Sequence, residues 1–117
     1  MKLLTKDIEK KLIKRSTKSH NRTNDDRAIV KFFNPTGIGT WIIFEGEKQE
    51  DGDWILFGMC HLGHPEWGYV WLSELESIKT KLGLGIERDM YSKMQTRQEL
   101  DHHYYTVFGY TTLTLEG

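Results

Sequence analysis

Apolar residues recur along this chain at two spacings, and each spacing predicts a different kind of element. Near the start, Leu4, Ile8 and Leu12 fall four apart, with Ile13 beside them. That repeat places them on one stripe and predicts a helix over about 6–15, with Thr5 as its N-cap. Residues 16–26 contain no aliphatic side chain and no Phe, Trp or Tyr, which predicts a polar loop. The centre switches to short β-rich runs over 27–34, 40–45, 54–60 and about 67–72. Turn chemistry separates them: Pro35-Thr36-Gly37-Ile38-Gly39, then Asp51-Gly52, then Gly63-His64-Pro65. These runs are apolar on both parities. Trp54, Leu56 and Cys60 share one, and Ile55, Phe57 and Met59 share the other. A sheet that is apolar on both faces is expected to be covered on both, most simply by helices.

Helical spacing returns at Leu75, Ile78 and Leu82, preceded by Ser73-Glu74-Leu75-Glu76 and followed by Gly83. Ser73 and Glu76 have capping-box spacing, and Gly83 suits the left-handed residue that closes a helix, so a helix is predicted at about 74–82. Thr96-Arg97-Gln98-Glu99 predicts a further short capped turn. Residues 104–115 alternate, with Tyr104, Thr106, Phe108 and Tyr110 on one parity and Tyr105, Val107, Leu113 and Leu115 on the other. That alternation predicts a last β segment with a bend at Gly109. The expected architecture is one α+β domain over 1–117. It has a mainly antiparallel sheet of four or five strands, an N-terminal helix, and the helix at about 74–82.

The ordered succession of Lys2-Leu3-Leu4-Thr5, Lys31-Phe32-Phe33-Asn34-Pro35, Asp53-Trp54 and Glu66-Trp67-Gly68-Tyr69-Val70 carries a family resemblance. Leu72-Ser73-Glu74-Leu75-Glu76 and Leu82-Gly83-Leu84-Gly85-Ile86-Glu87-Arg88-Asp89-Met90-Tyr91 extend it. Together they resemble the bacterial family of domain of unknown function 2958, short single-domain proteins of plasmids, integrative elements and phages. The resemblance covers about residues 1–91; the 60–64 segment and the stretch after Gln95 lie outside it. It implies an accessory protein of a mobile genetic element and supplies no catalytic residues.

Charge sharpens this picture. The net charge is −1, yet residues 1–31 carry +6 and residues 32–117 carry −7. A basic arm therefore precedes an acidic body. Lys6, Lys10, Lys11, Lys14 and Arg15 supply the arm with cations able to neutralise phosphates, which makes nucleic acid one candidate partner. Glu45, Glu47, Glu50, Asp51 and Asp53 place five carboxylates in nine residues beside Trp54. Crowded like charge invites a basic partner, and a flanking aromatic residue can anchor an interface. The leading expectation is a non-enzymatic protein that binds a protein partner through this acidic segment. Its sharper form is inhibition of a bacterial defence nuclease within a nucleic-acid-handling host complex. Nucleic-acid binding through the basic helix is the alternative.

Catalytic and metal chemistry find little support in the residues. Cys60-His61-Leu62-Gly63-His64 holds three metal-ligand types, but not the two spaced pairs of a structural zinc site. Neighbouring positions on a strand also point to opposite faces, so Cys60 and His61 converge only if the chain turns there. Gly83-Leu84-Gly85 lacks the later glycine and Lys-Ser/Thr of a phosphate loop. Glu87 and Asp89 flank Arg88, a pattern expected of a salt-bridged loop. No catalytic residue, cofactor or metal is assigned. The single cysteine provides no disulfide framework, and no apolar stretch reaches signal-peptide or membrane-spanning length. These features predict a cytoplasmic protein without a membrane segment.

Overall fold

The computed structural model describes residues 2–79 and 82–108. Its elements are α1 (Lys6–Ile13), β1 (Val30–Phe33), β2 (Thr40–Lys48), β3 (Trp54–His61) and β4 (Pro65–Trp71), then α2 (Leu72–Ser77), β5 (Glu87–Arg88) and α3 (Arg97–Phe108). The strands form one antiparallel sheet in the order β4-β3-β2-β1-β5. The fold is α+β, with both sheet faces covered.

One face carries Val30, Phe32, Trp41, Ile43, Trp54 and Leu56, packed against Leu3, Leu4 and Leu12 from the N-terminal segment and Leu75 from α2. The opposite face carries Ile42, Phe44 and Met59, packed against Leu100 and Tyr104 of α3. The Thr5 hydroxyl accepts from the Ile8 N–H at 3.2 Å, as expected of an N-cap. Eight residues are too few for a stable isolated helix. What holds α1 is the complete burial of Leu12, worth about 1.5–3 kcal/mol for a side chain of this kind. The helix stops at Ile13, two residues short of the expected end, and leaves Ile13 exposed.

Strand β2 does not keep strict alternation. Its register against β3 runs Ile43↔Gly58 and then Glu45↔Phe57, so Phe44 is an extra, bulged residue. Before the bulge, Trp41 and Ile43 face α1. After it, Glu45 lies opposite Phe57 on the α3 side, and Gly46 backs onto Leu12. One inserted residue thus turns a carboxylate into the interior.

Three local expectations need correction. Helix α2 begins at Leu72 rather than Glu74, because Glu74 Oε1 accepts from the Trp71 N–H at 3.1 Å. Ser73 is not the cap; its hydroxyl donates to Asp53 Oδ2 at 2.6 Å. The helix ends at Ser77, where Ile78 turns extended and Lys79 bridges to Gly85, so Leu82 is exposed rather than a last helical contact. The turn expected at 96–99 is a reciprocal capping box. Thr96 N–H donates to Glu99 Oε1 at 3.0 Å, and Glu99 N–H donates to Thr96 Oγ1 at 3.1 Å. It opens a twelve-residue helix, so residues 104–108 are helical and not β. Residues 109–115 of that expected strand lie outside the described residues.

The segment after β5 is held by one side chain. Asp89 Oδ1 accepts from the Tyr91 and Ser92 N–H groups at 2.9 Å each, and Oδ2 from the Ser92 hydroxyl at 2.6 Å. These bonds, those from Ser92 foremost, hold the Asp89 carboxyl at about 2, below the ordinary 3.8. A carboxylate depressed in the folded state adds stability above its unfolded value, lost as pH falls through the folded one. The native chain is therefore expected to exceed Asp89→Asn in stability by a margin that is constant near neutrality and narrows between pH 3.8 and about 2. Urea denaturation across that range reads the margin, and a gap independent of pH would contradict this assignment.

Candidate functional site

The acidic segment is not one surface. Glu45 is 0% exposed and accepts a forked pair of hydrogen bonds from Arg22, Nε to Oε2 at 2.8 Å and Nη2 to Oε1 at 3.2 Å. Arg97 Nη2 donates to the same Oε2 at 3.3 Å. Arg22 also lies over the Phe57 ring at 3.8 Å and donates to the Tyr69 hydroxyl at 3.1 Å. Burial works against its charge, but the hydrogen bonds from Arg22 to Glu45 and Tyr69 prevail and raise its pKa. Arg97 is wholly buried, stacked 4.3 Å over Trp67. Burial pushes its pKa down against the opposing pull of Glu45 and Asp26.

The other acidic residues divide. Trp54 is 2% exposed and belongs to the α1-side core. Asp53 accepts from the Ser73 hydroxyl and N–H and from the Trp54 N–H, tying β3 to α2. Glu47 accepts from the Ser16 hydroxyl and lies 4.0 Å from Lys18. Of these carboxylates only Glu50 and Asp51 are exposed, both in the turn between β2 and β3. Of the six residues expected on one binding face, four are therefore drawn into the fold. The physical reason is the bulge for Glu45, core burial for Trp54, and links to neighbouring elements for Glu47 and Asp53.

The basic residues converge better. Lys6, Lys10, Lys11 and Lys14 are exposed on α1 or at its end. Arg15 is half-buried, and its Nη1 donates to the backbone oxygens of Arg27 at 2.7 Å and Phe44 at 3.2 Å. Those bonds dock the end of α1 beside the entry to β1. Arg27 in turn donates to the Met94 carbonyl at 2.7 Å. Lys11, Lys14, Arg15 and Arg27 line one open cavity of about 410 Å³, with Ala28, Ile29 and Met94 completing its wall. Lys6 and Lys10 are not part of that lining. Carbonyl partners orient a guanidinium without neutralising it, and the lining holds no carboxylate. The nearest acids to these cations are Asp7, 3.7 Å from Lys11, and Glu99, 3.5 Å from Arg27. A concave wall lined by one sign of charge concentrates the field of its members, and here the field is positive.

Cys60 and His61 point apart. Cys60 packs on the α1-side core, whereas the His61 ring lies 5.6 Å from Tyr104 on the α3 side. Burial, with the charge of Glu66, pushes the Cys60 thiol up to about 11, the opposite of what a nucleophilic thiolate requires. Among the described residues, no group of three or more His, Cys, Asp and Glu side chains is placed to hold a metal ion. No described helix is long and apolar enough to cross a membrane.

The profile of the family described as "Protein of unknown function (DUF2958)" matches residues 3–105. The chain belongs to that family. The match runs through the 60–64 segment and into α3, further than the resemblance over about 1–91. The groove between α1, Arg27 and Met94 therefore lies wholly within the family's span. No curated protein and no solved structure matches the chain.

Sequence reasoning missed Arg27, because its place beside α1 depends on how residues 16–26 fold back. It also missed Arg22 and Arg97 as partners of Glu45. The one local signal was Glu45 itself, a charge ending the apolar run Trp41-Ile42-Ile43-Phe44.

Proposed function

We propose that this protein is a non-enzymatic binding protein of a mobile genetic element, and that its working surface is the basic groove. The ligand is a polyanion, the sugar–phosphate backbone of a nucleic acid. The observation that carries this reading is the convergence of Lys11, Lys14, Arg15 and Arg27 on one carboxylate-free cavity. Cations so placed neutralise phosphates and release their counterions, which gives affinity without any need for catalysis. The raised Cys60 thiol and its separation from His61 favour the non-enzymatic part of the reading.

The test is fluorescence anisotropy of a labelled oligonucleotide across a salt series. Binding is expected at low salt and to weaken steeply as salt rises. Lys11→Glu with Lys14→Glu, both at exposed positions, is expected to weaken binding at least tenfold. The same pair should flatten the slope of log affinity against log salt by about 1.5. A flat titration at low salt rejects the reading.

Protein binding through the acidic segment, including inhibition of a defence nuclease, is the second reading. It rests on Glu50 and Asp51, the two exposed carboxylates of that segment. It requires that reversing both to Lys abolish capture of a nucleic-acid-handling complex.

A further inference from the structure

We infer that the basic groove is the first part of a longer track for single-stranded nucleic acid, ending at a base-stacking pocket around Tyr91. This rests on the polyanion reading above and adds the strandedness of the ligand.

The groove does not stop at Met94. That residue also lines a second cavity of about 350 Å³, together with Lys31, Lys93 and Gln95. Lys31 and Ser92 are shared in turn with a third cavity of about 600 Å³, which includes Phe33, Arg88, Met90 and Tyr91. Shared wall residues place the three cavities in succession, from the end of α1 past Met94 to the exit of β5. Lys11, Lys14, Arg15, Arg27, Lys31 and Lys93 punctuate this succession. The lining holds three carboxylates: Asp89 holds the Tyr91–Ser92 backbone and lies 3.8 Å from Lys31, Glu99 caps α3, and Glu87 borders the third cavity.

The far end differs in chemistry. Tyr91 is 93% exposed and Met90 59% exposed, and the Asp89 hydrogen bonds fix the backbone that presents them. An aromatic ring held in water beside Phe33, Lys31 and Arg88 offers a face to a planar ligand and cations to its phosphate. A duplex keeps its bases stacked on one another. A single strand can lay an unstacked base on Tyr91 while its backbone follows the lysines, the combination that single-strand binders use. Aromatic stacking accepts any base, so weak sequence preference is expected.

Anisotropy titrations of the full chain with a labelled single strand of about twelve nucleotides, and with a duplex of the same length, test the inference. The single strand is expected to bind more tightly. Tyr91→Ala should weaken single-strand binding roughly tenfold, leave competition by inorganic polyphosphate unchanged, and be rescued by Tyr91→Phe. Equal or tighter duplex binding, or no effect of Tyr91→Ala, would overturn the stacking track while leaving the groove reading in place. Polyglutamate displacing the strand as well as unlabelled oligonucleotide would instead mark a site for acidic protein and overturn the track. Absence of binding by either nucleic acid removes both proposals.

Discussion

Replacing Glu45 with alanine is expected to cost the fold about 3–5 kcal/mol, the range for removing one partner from a buried ion pair. The carboxylate is fully buried and shared by two guanidiniums. Its loss leaves Arg97, itself wholly buried, with no partner at the position Glu45 filled. Arg97 Nε and Nη1 already make no hydrogen bond among the described residues, and Nε lies 3.9 Å from Asp26 Oδ2. Asp26 thus pairs with Arg97 at a distance but accepts no hydrogen bond from it to replace the one to Glu45. The converse change is expected to be milder. Arg97→Met keeps an unbranched chain against Trp67 and Phe44 and leaves the Arg22–Glu45 fork intact, so a loss within about 1.5 kcal/mol is expected. Urea denaturation of both variants, with Glu50→Ala as an exposed control, measures the asymmetry. Equal losses for Glu45→Ala and Arg97→Met would show that the cluster is not organised around the carboxylate.

That cluster also marks the limit of what the sequence made legible. The amphipathic stripe of α1, the four central strands and the two-faced sheet were readable because each follows a local period, and the structure has all of them. The capping residues at 96–99 were readable too, but the length of α3 was not. Tyr104, Thr106 and Phe108 alternate like a strand, and burial of Tyr104 against Met59 and Ile42 at helical spacing from Leu100 outweighs that alternation. Glu45 misled because strand parity says nothing about a bulge. The acidic segment looked like a surface only while its members were assumed to share a face. The basic groove was half legible: Lys11, Lys14 and Arg15 came from the helix pattern. Arg27 joins them through a loop whose polar residues carry no period to read, and Met94 through the segment between β5 and α3.

The same bulge places a strict demand on a glycine that looks unremarkable in the sequence. Gly58 stands in the middle of β3, opposite Ile43 of β2 and Gly68 of β4. A Cβ added there would lie 1.9 Å from the Ile42 carbonyl oxygen and 2.9 Å from the Ile43 Cα. Both are backbone atoms of the central strand pair, so no side-chain rotation relieves the clash. The β2 backbone would have to move just where its register shifts to bring Glu45 onto the α3 face. Gly58→Ala is therefore expected to cost about 3 kcal/mol or more, at or beyond the upper end for overpacking a core. It should also loosen the Glu45–Arg22 contact that the shift creates. Gly68 supplies the control, because a Cβ there meets nothing within 4 Å and Gly68→Ala is expected to change stability by less than about 1 kcal/mol. Thermal and urea unfolding of the two variants separate the cases. A Gly58→Ala protein as stable as Gly68→Ala would mean that β2 and β3 approach less closely than this register requires.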